Sequence, residues 1–298
     1  MATEALRTPD ERFADLPGYD FDPHYIDDLE GYEGLRVHYV NTGEGERTFL
    51  LLHGQPTWSY LYRHMIPVFA LHGRVVAPDW LGFGRSDKPV RDETYTFHFH
   101  RTMMLRLVER LDLSRITLVV QDWGGLLGLT LPHEMPERFE RLIVMNTALA
   151  TGRSLGPGFE AWRAYSNSRP DLDVAALMKR AVPTLSDAEA AAYAAPFPDR
   201  RFKAGVRRFP QLVMTDPAME GVDTSLRALR FWKEEWEGES FMAIGAQDPV
   251  LGPEVMKAMR RAIRGCPEPL VLPEAGHFVQ EHGQVVAEAA LRHFGDLA

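Results

Sequence analysis

Three short segments carry residue types suited to covalent catalysis. In Val119-Val120-Gln121-Asp122-Trp123-Gly124-Gly125, buried apolar residues lead into an acid. Small residues follow and open an apolar helical run over residues 126–131. Small residues permit the sharp strand-to-helix turn called a nucleophile elbow, which lifts its central side chain over a sheet. The usual elbow has glycine two positions before and two after the nucleophile. Gly124 fills the later position, and Val120 stands at the earlier one. The competing reading is that Asp122 merely caps a helix N-terminus. Residues 241–248 end a second apolar run in Asp248, within a Gly-containing turn. Pro273-Glu274-Ala275-Gly276-His277 closes a third. The chain order is therefore nucleophile, acid, histidine. The neighbouring His282 lacks such a turn signal and reads as a surface residue.

That order is the one expected of an α/β-hydrolase triad, with Asp248 orienting His277 as the base. An aspartate ordinarily ionises near ~3.9, so as a nucleophile it needs no activating base. Attack on an sp3 carbon leaves an alkyl ester. Attack on an acyl substrate leaves an anhydride, which disfavours a conventional esterase or lipase. His277 would take a proton from the water that opens the ester, and Asp248 would stabilise the imidazolium. His53-Gly54-Gln55-Pro56 should face the elbow. There the backbone N–H of Gln55 would join that of Trp123 in an oxyanion hole; the plainer reading is a Gly-Pro turn.

Short apolar runs at residues 35–39, 48–52, 74–77, 116–120, 142–145, 241–244 and 270–272 read as strands. Helical patterns at 97–111, 253–263 and 285–294 lie between or after them. This alternation predicts an α/β fold with a mostly parallel central sheet flanked by helices. It breaks over residues 148–224, which are rich in Ala, Pro, Arg and Asp, with helical fragments at 174–180 and 187–193. The expectation is a core domain of residues 1–147 and 225–298 with an inserted helical cap of residues 148–224, because a structureless loop of that length would be unusual.

The 298 residues hold 33 Lys+Arg and 42 Asp+Glu, for a net charge of −9. Nucleic-acid binding requires clustered cations, so this acidic balance excludes such a partner. No run approaches the ~18 apolar residues of a membrane span, and the N-terminus has no signal-like apolar core. The single cysteine, Cys266, rules out an intrachain disulfide. A cytoplasmic monomer is expected. Gly82-Phe83-Gly84 lacks the third glycine of a dinucleotide fingerprint. His98 and His100 look like a ligand pair, but no third ligand is evident. Neither cofactor nor metal is expected.

Arg7–Asp10, His53–Arg63, Pro78–Pro89, Val120–Gly125, Cys266–Pro269 and Ala275–Gln280 together resemble the haloalkane dehalogenases of the α/β-hydrolase superfamily. The likeness is strongest to the subfamily with two halide-binding tryptophans. It implies Asp122 as nucleophile, His277 as base and Asp248 as the orienting acid. It further implies halide binding by Trp123, next to the nucleophile, and by Trp162, within Phe159-Glu160-Ala161-Trp162-Arg163. An indole N–H donates without a competing acceptor, on a large apolar body. The implied reaction is hydrolysis of short, neutral haloalkanes to alcohol, halide and proton.

Three alternatives follow from the same residues. An epoxide hydrolase would protonate its alkoxide with cap tyrosines, and Tyr165 and Tyr193 are present. A haloacid dehalogenase would place arginines after the nucleophile, where Leu126, Leu127 and Leu129 stand. A non-catalytic binding protein on the same fold need not keep the base or acid. Gln55, where relatives can carry an acid, and Leu126, where a bulkier aromatic can occur, bear on pocket volume and leave substrate length open.

Overall fold

The computed structural model describes residues 3–298. In chain order its strands are β1 (Ala5–Leu6), β2 (Pro23–Ile26), β3 (Val37–Thr42), β4 (Thr48–Leu52) and β5 (Arg74–Pro78), followed by β6 (Lys88–Pro89), β7 (Ile116–Val120), β8 (Phe139–Met145), β9 (Glu239–Gly245) and β10 (Leu270–Leu272). β1 and β6 form a small antiparallel ribbon. The other eight make one sheet in the order β10-β9-β8-β7-β4-β5-β3-β2. Pairing is parallel from β10 through β5, whereas β3 and β2 are antiparallel.

The central strands explain the layering. Thr48–Leu52 and Ile116–Val120 are buried at every position, the continuous apolar pattern of strands covered on both faces. Helices supply the covers. Phe97–Arg110 begins at Thr96, whose hydroxyl accepts from the Phe99 amide, a cap contributing about 1 kcal/mol. Pro253–Ala262 and Gly283–His293 follow β9 and β10. The 97–111, 253–263 and 285–294 patterns thus lie on helices whose ends differ by one or two residues.

Two expectations shift. The strand predicted at 35–39 runs instead over Val37–Thr42. Leu35 is in a turn, its amide bonded to the Tyr32 carbonyl, behind Gly34 at φ 84°. The helix predicted at 126–131 begins at Trp123 and ends at Gly128. β2 carries no clear alternation and was not expected.

Between β8 and β9 the chain contains no strand. It passes through helices Pro157–Asn167, Val174–Ala181, Asp187–Ala194, Ala204–Leu212 and Val222–Arg230, the last crossing the 224/225 junction. Hydrogen bonds tie this segment to the sheet side of the molecule. Trp58 Nε1 donates to the Ala192 carbonyl (3.2 Å) and Gln55 Nε2 to the Val206 carbonyl (3.0 Å). Arg63 is fully buried and forks onto Glu281 (2.7 and 2.8 Å), which also accepts from the Tyr193 hydroxyl. No helix among the described residues is long and apolar enough to cross a membrane.

Candidate active site

Open α/β sheets bind ligands outside the carboxyl ends of their strands. Here those ends deliver one or two candidate residues each. β4 leads to Gly54 and Gln55, β7 to Gln121 and Asp122, β8 to Asn146 and Thr147, β9 to Asp248, and the turn after β10 to His277.

Asp122 has φ 50° and ψ −125°, a conformation a non-glycine residue adopts only when its surroundings impose it. The surroundings are tight. Its amide donates to the Asn146 carbonyl (3.0 Å), and the Thr147 hydroxyl donates to its carbonyl (2.7 Å). A Cβ on Gly124 would strike the Leu52 carbonyl, and one on Gly54 would strike the Asp122 carboxylate. Val120 is accommodated in place of the earlier glycine as a fully buried strand residue. The Asp122 side chain makes no capping bond to the helix it precedes, so the capping reading is set aside.

The two carboxylate oxygens of Asp122 are distinct. Oδ1 accepts from the Gln55 amide at 2.7 Å. Oδ2 faces His277 Nε2 at 3.6 Å, too far for a hydrogen bond. The Trp123 amide opens the adjacent helix, and among the described residues no hydrogen bond from it to this carboxylate is found.

His277 Nδ1 lies 2.7 Å from Asp248 Oδ2. Burial works against a charged ring, but the Asp248 carboxylate and the nearby Asp122 outweigh it and raise the His277 pKa to about 10. Asp248 is desolvated too. The His277 charge and hydrogen bond, with the Val250 and Leu251 amides (2.8 and 3.1 Å), nevertheless hold it down at about 2. Asn146 Nδ2 adds a donor to Asp248 Oδ2 at 3.0 Å.

A cavity of about 640 Å³ opens over Asp122 and His277. Leu126, Leu155, Phe159, Leu177 and Val213 make much of its wall apolar, while Arg180, Glu274 and His282 also line it. Trp123 and Trp162 face it from opposite sides of the domain junction expected from sequence. The indole N–H groups of the other four tryptophans all have protein acceptors: Ala192, His53 and Leu129 carbonyls for Trp58, Trp80 and Trp232, and the Ser240 hydroxyl for Trp236. Trp123 and Trp162 donate to no protein acceptor among the described residues. Their N–H groups are therefore available to something in the cavity.

The expected competitors fare differently. The Tyr193 hydroxyl is buried against Glu281 and Arg63, and the Tyr165 hydroxyl accepts from Arg180 (2.8 Å). Neither tyrosine lines the cavity. Leu126 does, where a haloacid site would need a cation. His98 is exposed and His100 buried, so the pair does not converge on a common point. His282 is exposed at the cavity rim.

Sequence reasoning missed Asn146 and Thr147, although both follow a strand adjacent to the elbow. It also missed the hydrogen bonding of Gln121. Polar residues just past a central strand, beside an acid, are the signal that could have found them.

The sheet and its elbow define an α/β-hydrolase, and residues 47–284 match the family model for the alpha/beta hydrolase fold. A haloalkane dehalogenase of Psychrobacter cryohalolentis is 44% identical, over 98% of both chains. One from Mycolicibacterium paratuberculosis is 42% identical, over 96% of this chain and 97% of that one. The tetrameric haloalkane dehalogenase DpaA from Paraglaciecola agarilytica is 53% identical, covers 97% of this chain and 98% of its own, and superposes with a TM-score of 0.95. The chain belongs to the haloalkane dehalogenase family.

Proposed function

We propose that this protein hydrolyses short, neutral haloalkanes to alcohol, halide and proton through an alkyl-enzyme ester on Asp122. Asp122 Oδ2, free of hydrogen bonds, attacks the carbon bearing the halogen in line, forming a C–O bond as the carbon–halogen bond breaks. The halide leaves with both bonding electrons and needs donors but no proton. The two uncommitted indole N–H groups, on Trp123 and Trp162, are the observation that carries this reading. They offset the cost of holding an anion against the cavity's apolar wall.

Water then attacks the Asp122 carbonyl carbon while His277 Nε2 takes its proton. Charge gathers on Oδ1, where the Gln55 amide already donates at 2.7 Å; the Trp123 amide is the second donor in this reading. Collapse breaks the bond to Oδ2, and the departing alkoxide takes the proton from His277. The newly formed carboxylic acid loses the remaining proton. Asp248 orients the ring and stabilises its charged form.

The division of labour follows the chain. Residues 1–147 and 225–298 form the core domain carrying the triad, and residues 148–224 form the cap carrying Trp162. No cofactor or metal enters these steps. All the residues they use come from one chain, so a monomer suffices for the chemistry. DpaA is tetrameric, and light scattering distinguishes the two states here. A cytoplasmic location accords with the single half-buried thiol.

A panel of bromo- and chloroalkanes and epoxides, assayed with a halide electrode and for diols, tests the reading. Halide release in step with alcohol is expected. Epoxide turnover without halide release rejects it.

A further inference from the structure

Gln121 is a fully buried amide immediately after β7, one residue before Asp122. Its Nε2 lies 3.1 Å from the His277 carbonyl oxygen and 2.9 Å from His277 Nε2. A carbonyl oxygen only accepts, so the amide nitrogen, not its oxygen, must face it. That same nitrogen then presents its other hydrogen to the ring. His277 Nε2 can accept it only in the neutral ring, with the proton on Nδ1 toward Asp248. At the far end of the amide, Gln280 Nε2 stands 3.5 Å from Gln121 Oε1, which disfavours a flip.

Two opposed pulls therefore meet on Nε2. The Asp122 carboxylate favours a proton there. The Gln121 N–H disfavours one, because a hydrogen bond to the neutral form opposes the charged form. Once Asp122 is esterified its charge is gone, and the amide's pull on that nitrogen is unopposed from that side. We propose that Gln121 is a positioning residue that holds His277 as the neutral, Nδ1-protonated base during hydrolysis of the alkyl-enzyme. The proposal rests on the reading of Asp122 as nucleophile. As water gives its proton to Nε2, the amide's bond to the ring breaks while its bond to the His277 carbonyl remains. When the alkoxide takes that proton, the ring bond re-forms.

The other charged and titratable groups around the ring are few. Asp248 holds Nδ1. Glu274, Glu281 and His282 line the cavity from the His277 side, and Arg180 from the opposite helix. None of these four hydrogen-bonds the ring. Phe278 packs edge-on at 4.9 Å.

The test follows decay of the alkyl-enzyme against pH by rapid-quench mass spectrometry, with 1-bromobutane as substrate. It compares the unmodified full chain with Gln121→Met and Gln121→Glu. Methionine matches glutamine in length without its donor, and its acid limb should move up by about one pH unit, about tenfold slower decay below the limb. Glutamate, an acceptor, should move the limb further the same way. The methionine variant alone decides the matter if the glutamate variant does not fold. A limb unmoved in the variants, or uniform slowing at every pH, overturns the proposal alone. No alkyl-enzyme in the unmodified protein overturns the reading of Asp122, and the proposal with it.

Discussion

His277 Nε2 and Asp122 Oδ2 face each other across 3.6 Å without a hydrogen bond. The gap leaves Oδ2 uncommitted, so it can attack a carbon, yet the ring is close enough to feel its charge. In the proposed mechanism the two half-reactions follow from that distance. While Asp122 is ionised, the ring is pulled toward its charged form. Alkylation of Asp122, as proposed, would remove that pull and free the ring to act as a base.

Replacing Asp122 by asparagine mimics the loss of charge. Removing a negative neighbour lowers the pKa of a base, so the His277 midpoint should fall from about 10. Histidine NMR titration of the two proteins checks this. An unchanged midpoint would mean that Asp248 alone sets the ring's charge.

Trp162→Phe removes one of the two uncommitted indole donors while keeping an aromatic wall. A hydrogen bond to a charged group contributes about 1.5–3 kcal/mol, so bromide should bind at least about tenfold more weakly. Quenching of tryptophan fluorescence by bromide reports the affinity. Unaltered bromide binding removes Trp162 from the halide site.

The elbow leaves no room for side chains. Gly124→Ala drives a methyl into the Leu52 carbonyl and should destabilise the protein by about 1–3 kcal/mol in urea. Gly54→Ala would press on the Asp122 carboxylate and should depress turnover more than its stability loss explains. Equal activity per folded molecule in Gly54→Ala would show that this carboxylate tolerates displacement.

Much of the candidate site was legible because each residue of the proposed triad lies a few positions past a strand end. Asp122 and Asp248 follow buried apolar runs and His277 follows a short apolar run at the sheet edge, and strand ends converge in a parallel sheet whatever lies between them. Trp162 was a different matter: its helix bears no relation to the sheet's register, and the family likeness drew attention to it. The fates of Tyr165 and Tyr193 were illegible. Where a hydroxyl goes depends on partners such as Arg180 and Glu281, remote in sequence from at least one of them. The role of Gln121, beside the elbow aspartate, is illegible in sequence, since nothing in a sequence shows which way a buried amide points. The strand at 37–42 was displaced by the Gly34 turn, a local conformation that alternation cannot detect.

The covalent intermediate is the central claim, and trapping it is the most direct test. His277→Phe removes the base for hydrolysis while leaving Asp122 to attack. Incubated with 1-bromobutane, this variant should release one equivalent of bromide and gain the mass of one butyl group, on the peptide containing Asp122. Continued bromide release with no added mass on that peptide would contradict the account.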